Sequence, residues 1–447
     1  MTLSGLLLLS LAVLGLAACE AGPREAPSPT QTATPPPPTA TPPPITADSV
    51  RGFAGGPVIA GLPQPMDFTF ADDGRIFVAS KEGAVRIVSA GALLPEPFIR
   101  LPVSTLGDRG LTAIALDPEF EENGYVYLYY TYENDSAKPT AAKTGRLIRV
   151  TSDGDKAAPG SEVVLLGSIV GDALHPSCHD FPEGADCIPM DGFAHFGGGL
   201  RFGLDGTLFV STGDASHFTP DPDGLRLPVQ DLDSLAGKIL RINTDGTAPG
   251  DNPFFDGDSS ANRAKVWAYG LRNPYRFGIR PGSGMPFIGD VGSDYWDEID
   301  AGPAGSNFGW PCYEGAERHP DQSALPACQD LFARGVAVAA PVYAYAISEG
   351  AAIIGGVFYE GGDYPPEFDG AYFFADWARG TVSVLRVDGN NELVPGSVLV
   401  VLDDGGQPID FELGPSGDVY YLALDLEAGT GEIRRLTHTP GTQAGSP

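Results

Sequence analysis

The chain has 447 residues, 42% of them apolar, with 59 glycines and 42 prolines. That composition suits a turn-rich, all-β protein better than a helical one. Its formal net charge of −31 excludes nucleic acid and anionic membrane surfaces as partners, because like charges repel; it is compatible with hard cations such as Ca²⁺ held by carboxylates.

Residues 1–19 read as an export signal. The apolar run SGLLLLSLAVLGLAA is too short and too early for an ordinary membrane span. It ends in LAAC, which resembles the bacterial lipobox, so Cys19 is the expected lipidation site; the alternative is a plain signal peptide with an incidental cysteine. Residues 20–47 carry Pro, Thr and Ala with almost no large apolar side chain. Such a segment cannot offset its ordering entropy and is expected to be an extended tether. The folded domain is expected over residues 48–438, with a disordered tail at 439–447. The protein is thus expected to be exported and lipid-anchored at the cell surface or the periplasmic face, touching membrane only through that anchor. In an oxidising compartment the four remaining cysteines are expected to pair locally, Cys178–Cys187 and Cys312–Cys328, out of three possible connectivities. They lack C-x-x-C spacing, which argues against zinc.

From residue 66 onward one pattern recurs: a turn with glycine, then alternating apolar residues. It is seen in ADDGRIFVAS, EENGYVYLYYT, GLDGTLFVSTG, RPGSGMPFIGDVG, FDGAYFFADW and GPSGDVYYLAL. Each reads as a β-hairpin. The turn glycines are Gly74, Gly124, Gly206, Gly284, Gly370 and Gly417, roughly 50 to 85 residues apart, the size of a four-stranded blade with long insertions. The spacing predicts an all-β, six-bladed β-propeller. Two stacked β-sandwiches would need a linker near residues 220–260, where only a Pro/Asp-rich loop stands. DLDSLAGKILRI, residues 231–242, is the best helix candidate, and it is short.

Three segments carry candidate chemistry. In FAHFGGGLRFGLDG, His195 precedes three glycines, which would let a ligand approach the backbone. A histidine there can serve as a general base or simply pack in the loop. In YGLRNPYRFG, Pro274 keeps Asn273 extended, so Arg272 and Asn273 are expected to point in opposite directions; the plainer reading is a core arginine satisfying backbone carbonyls. In GDVGSDYWDEIDAGPAGSNFGWPCYEG, Asp290, Asp294, Asp297, Glu298 and Asp300 crowd together among glycine turns. That density suits Ca²⁺, or a solvated acidic loop.

Together with RGLTAIALDPEFEENGYVYLYYTY, SLAGKILRINTDG and DNPF, these segments resemble, in order along the chain, the glucose/sorbosone dehydrogenase family over roughly residues 55–436. The resemblance implies a six-bladed propeller that binds pyrroloquinoline quinone (PQQ) and calcium and oxidises the C1 hydroxyl of a sugar. It makes His195 the base, Arg272 and Asn273 the cofactor contacts, and the carbonyls of Gly292 and Ser293 the holders of the cofactor's calcium. Asp297 and Glu298, with a carbonyl near Phe308, would form a second, structural calcium site.

The chain departs from the family where PQQ's three carboxylates are met by cations. Ala378 stands where a lysine is expected, beside Arg379; Gln407 and Ile409 stand in place of two arginines, leaving only Asp410 of that run. Asp108 replaces a glutamine. Arg109, Arg201 or Arg379 would have to compensate. Two readings follow: a cell-surface sugar dehydrogenase passing electrons to a separate acceptor, since no C-x-x-C-H haem motif is present, or a non-catalytic propeller that binds a glycan or a protein partner.

Overall fold

In the computed structural model the described residues are 43–216 and 228–439. Their strands form six antiparallel sheets that are the blades of a β-propeller, and one two-stranded pair, Tyr313–Glu314 with Glu317–Arg318. The first blade runs from Pro65–Phe70 outward through Ile76–Ser80 and Ala84–Ser89. The innermost strands of the next four are Leu111–Leu116, Leu200–Phe202, Pro274–Ile279 and Ile353–Phe358. The sixth blade starts at Gln407–Leu413 and takes its outermost strand from the other end of the chain: Phe53–Pro63 pairs with Thr430–His438. This pairing of the two ends closes the ring and leaves no free sheet edge between first and last blade.

Six apolar clusters fill the spaces between neighbouring blades. Between blades one and two, for example, Phe77 and Val85 pack on Ile114 and Leu128; between six and one, Leu422 and Ile433 meet Phe68 and Val78. Alternation along each strand supplies both faces, so every blade buries one side on each neighbour.

All six turn glycines lie between the innermost and second strands of their blades, each with a positive φ, from 66° at Gly124 to 86° at Gly74. Glycine reaches that conformation without penalty. The segment 231–242, the helix candidate, is instead a turn followed by the strand Lys238–Ile242. Gly237, at φ 63°, breaks any helix there, and Lys238 buries its ammonium against the carbonyls of Pro228, Val229 and Ala236. Ile45, inside the stretch read as tether, is 6% exposed and packs with Val50 and Phe53 on blades five and six. The packed chain therefore begins before residue 48. Cys19, the export signal and residues 440–447 lie outside the described residues. Both expected disulfides, Cys178–Cys187 and Cys312–Cys328, are formed; the second ties a loop to the helix Pro326–Arg334.

The propeller shaft is sealed by ions. Arg276 is 1% exposed; its Nε donates to Asp410 (3.0 Å), and its fork reaches the carbonyls of Gly198, Met66 and Thr112. Arg201 pairs with the same Asp410 (3.1 Å) and with Glu412 (3.2 Å). The core arginine of YGLRNPYRFG is thus Arg276.

Candidate active site

At one end of the shaft lies a cavity of about 630 Å³. Backbone irregularity aims residues into it. In the innermost strands of blades one, four and six the register slips between Pro65 and Asp67, Pro274 and Arg276, and Pro408 and Asp410. The skipped residues, Met66, Tyr275 and Ile409, all line the cavity. A bulge re-aims a side chain in this way.

His195 is 4% exposed and sits on this cavity with φ 62°, an uncommon conformation for a residue with a Cβ and one that marks a functional constraint. Its Nδ1 lies 3.1 Å from Asp214 Oδ1 and 2.9 Å from Ser216 Oγ. Asp214 Oδ2 accepts from Trp310 Nε1 (2.9 Å). Burial alone would raise the Asp214 carboxyl, but the His195 hydrogen bond and charge, Arg272, and the Ser216 amide hold it below its ordinary value. An ionised Asp214 keeps the proton on Nδ1 and leaves Nε2 as the basic nitrogen. Trp310 stands inside a motif quoted above and Asp214 one residue beyond the end of another, yet sequence reading missed both; only the pairing of the two segments in space reveals them. The glycines after His195 serve packing more than ligand access. A Cβ on Gly198 would stand 3.1 Å from Thr112, and one on Gly199 2.6 Å from Phe277; only Gly197 lines the cavity.

Arg272 and Asn273 do not diverge. Both precede the strand Pro274–Ile279, and both line the cavity. Asp290, opposite Pro274 in the ladder, accepts the Arg272 amide (2.9 Å) and the Asn273 amide (2.6 Å), a pairing open to it because Pro274 has no N–H. The Arg272 guanidinium donates to Val291 O (2.8 Å) and lies 5.4 Å from the Trp310 ring centre, while its buried Nε has no hydrogen-bond partner among the described residues. Asn273 Oδ1 accepts from Gly197 N (3.1 Å). Asp108 also lines the cavity; its Oδ2 accepts the His195 amide (3.3 Å), and burial raises its carboxyl above the ordinary range.

Gly292 and Ser293 stand at the cavity on a loop gathered by a residue the sequence did not single out. Glu314 Oε1 accepts the amides of Ser293 (2.7 Å), Asp294 (3.0 Å), Tyr295 (3.0 Å) and Trp296 (3.2 Å). In a trans peptide N–H and C=O point in opposite directions. The carbonyls of Gly292 and Ser293 are therefore turned away from Glu314, side by side. Asp297, also on the cavity, accepts the Gly292 amide (2.8 Å), and burial pushes its carboxyl up to about 6.

The expected pairing of the Asp297 and Glu298 carboxylates does not form. Neighbours on the strand Trp296–Ala301 face opposite sides. Glu298 turns to Asp290 and Asp300, with carboxylate oxygens of all three within 4.8 Å of one another. Phe308 packs its ring in the apolar cluster with Phe209 and Ile288. Both oxygens of Asp300 and Oε2 of Glu298 are buried without a hydrogen-bond partner. Three carboxylates so close in a dry site fit a divalent cation with a preference for oxygen.

None of the three arginines that would have to replace the lost cations reaches the cavity. Arg379 is exposed, beside Ala378. Arg109 gives its fork to the carbonyls of Pro139, Met190 and Gly192, and Arg201 is in the shaft. Among the described lining residues the cations are Lys81 and Arg272, facing the carboxylates of Asp108, Asp297 and Asp425. Two positive against three negative groups leave a formal charge of −1, and a tricarboxylate would take it to −4. The wall where the cations are lost carries none: Ile409, Trp377, Leu424 and Leu426 stand there around one acidic side chain, Asp425. PQQ as a trianion does not fit it.

The described fold agrees with what the chain resembles. Residues 62–435 match the family model for glucose/sorbosone dehydrogenase. The chain is 27% identical to the aldose sugar dehydrogenase YliI of Escherichia coli strain K12, over 84% of this chain and 90% of that protein. It is 26% identical to quinoprotein glucose dehydrogenase B of Acinetobacter calcoaceticus, over 64% of this chain and 59% of that one. Among solved structures, the PQQ-bound aldose sugar dehydrogenase of Streptomyces coelicolor superposes with a TM-score of 0.63 at 23% identity, over 89% of this chain and 99% of that one. The chain belongs to the glucose/sorbosone dehydrogenase family.

Proposed function

We propose that the chain is a dehydrogenase that oxidises the C1 hydroxyl of an aldose to a lactone. The observation that carries this reading is the His195–Asp214 pair at the cavity, within a family of sugar dehydrogenases. Nε2 of His195 takes the hydroxyl proton, and Asp214, tied to Trp310, stabilises the imidazolium that forms. The two electrons leave C1 as hydride for an oxidant seated beside Arg272, whose guanidinium and the neighbouring amide of Asn273 would orient it. Asp290, Glu298 and Asp300 would hold a calcium ion, offsetting the charge of a carboxylate cluster whose one member, Asp290, anchors Arg272 and Asn273. Electrons then pass to a separate acceptor. The signal ending at Cys19 and the two disulfides support export and lipid anchoring outside the cytoplasm.

The test is dye reduction by the purified chain with calcium, a panel of quinones including PQQ, and a panel of aldoses. Turnover is expected with at least one pair, and His195→Ala should abolish it without moving the melting temperature. Silence across the whole matrix from folded protein would overturn the proposal and leave the non-catalytic, glycan- or protein-binding propeller, which the apolar cavity wall favours.

A further inference from the structure

We infer that the cavity takes a planar quinone with few or no carboxylate arms, its one strong acceptor group at the Arg272 end and its hydrocarbon against Ile409, Trp377, Leu424 and Leu426. The inference rests on the dehydrogenase reading for the ligand's redox class, and on the cavity alone for its charge.

Positive charge in the cavity is one-sided. At one end Arg272 is 8% exposed and forms no ion pair among the described residues; its Nε is buried without a hydrogen-bond partner among them. A buried guanidinium with donors to spare calls for an acceptor on the ligand. Lys81 is the other cation, and it already donates to Gly107 O (2.5 Å) with Asp108 nearby. At the other end bulging turns Ile409 inward, where an arginine at this position would meet a carboxylate. Trp377 lines the cavity while its neighbours Ala378 and Arg379 are exposed. A carboxylate at that end would face the Asp425 carboxylate and find no cation among the described lining residues. A neutral ring would gain apolar contact instead.

The probes are PQQ and its trimethyl ester, which share one quinone ring and differ in charge. Binding to the full, calcium-loaded chain is read by quenching of tryptophan fluorescence, with no substrate present. The ester is expected to bind at least about tenfold more tightly than the acid, with little dependence on salt. A triple change, Ala378→Lys with Gln407→Arg and Ile409→Arg, should reverse that order. Should this variant fail to melt cooperatively, Ile409→Arg alone should still narrow the ratio by about tenfold. Arg272→Gln should weaken both probes. Acid binding as tight as the ester, or neither probe binding at about 100 μM, would overturn the inference. Because the readout is binding, it separates from the dehydrogenase reading: ester preference with no dye reduction sinks only the reaction, and turnover with tightly held PQQ sinks only the ligand class.

Discussion

Replacing Glu314 tests whether one buried carboxylate organises the cavity loop. Its Oε1 collects four successive amides, and its Oε2 lies 3.2 Å from His319 Nε2. A hydrogen bond to a charged group contributes about 1.5–3 kcal/mol. Four donors sharing one oxygen do not add, and Asp294 and Trp296 are exposed enough for water to replace their share. Glu314→Ala should therefore cost about 3 kcal/mol, the upper end for one hydrogen bond to a charged group. With about 2.1 cal/mol/K of unfolding entropy per residue over a folded unit of roughly 390 residues, that lowers the melting temperature by about 4 °C. Glu314→Gln keeps an acceptor in place and loses only charge, so it should cost about 1 kcal/mol. Thermal melts and denaturant titrations of the three proteins give the numbers. A loss under about 1 kcal/mol in the alanine variant would mean that the loop Gly292–Trp296 is held by something other than Glu314.

Chelator should lower the melting temperature of the wild-type chain, because an ion that binds only the folded state stabilises it; Asp300→Asn should remove most of that response and melt higher than chelated wild type, since one like charge is gone. In the shaft, burial and Asp410 raise the Asp67 carboxyl well above its ordinary value, and burial pushes Glu412 up to about 7. A carboxyl raised in the folded state binds more protons there than when unfolded, so stability is greatest below the unfolded value and falls as pH rises through about 4.5 to 7. Melting temperature should drop across that window, and Asp67→Asn should flatten the drop; an unchanged slope in the variant would put the titration elsewhere.

Much of the fold was legible because its grammar is local. A glycine at positive φ followed by alternating apolar residues is the same signal in all six blades, and each of the six glycines stands where an innermost strand turns back. The ring closure was less visible. Nothing in AGGPVIAGLP says that it is the last strand of the last blade, because that pairing spans nearly the whole chain. Ile45 was hidden for the same reason: one apolar residue among prolines has a role only when blades five and six come round to meet it.

The site separates what adjacency in sequence can and cannot tell. Asp297 and Glu298 are neighbours, and for that reason the strand sends them to opposite faces, one to the cavity and one to Asp290 and Asp300. Arg272 and Asn273 are neighbours too, but they stand just before a strand, and Asp290 turns both toward the cavity. Alternation decides the first pair and a carboxylate 17 residues from Asn273 decides the second. The same Asp290 belongs to the carboxylate cluster, so the cation expected there and the guanidinium in the cavity share one support. Losing the ion should loosen the grip of Asp290 on Arg272, because an unneutralised triad favours a protonated Asp290, whose carboxyl burial already pushes up to about 7 and which accepts amide hydrogen bonds less strongly once neutral. Ligand affinity at Arg272 should therefore fall in chelator even where the fold survives, a coupling that two independent sites would not have.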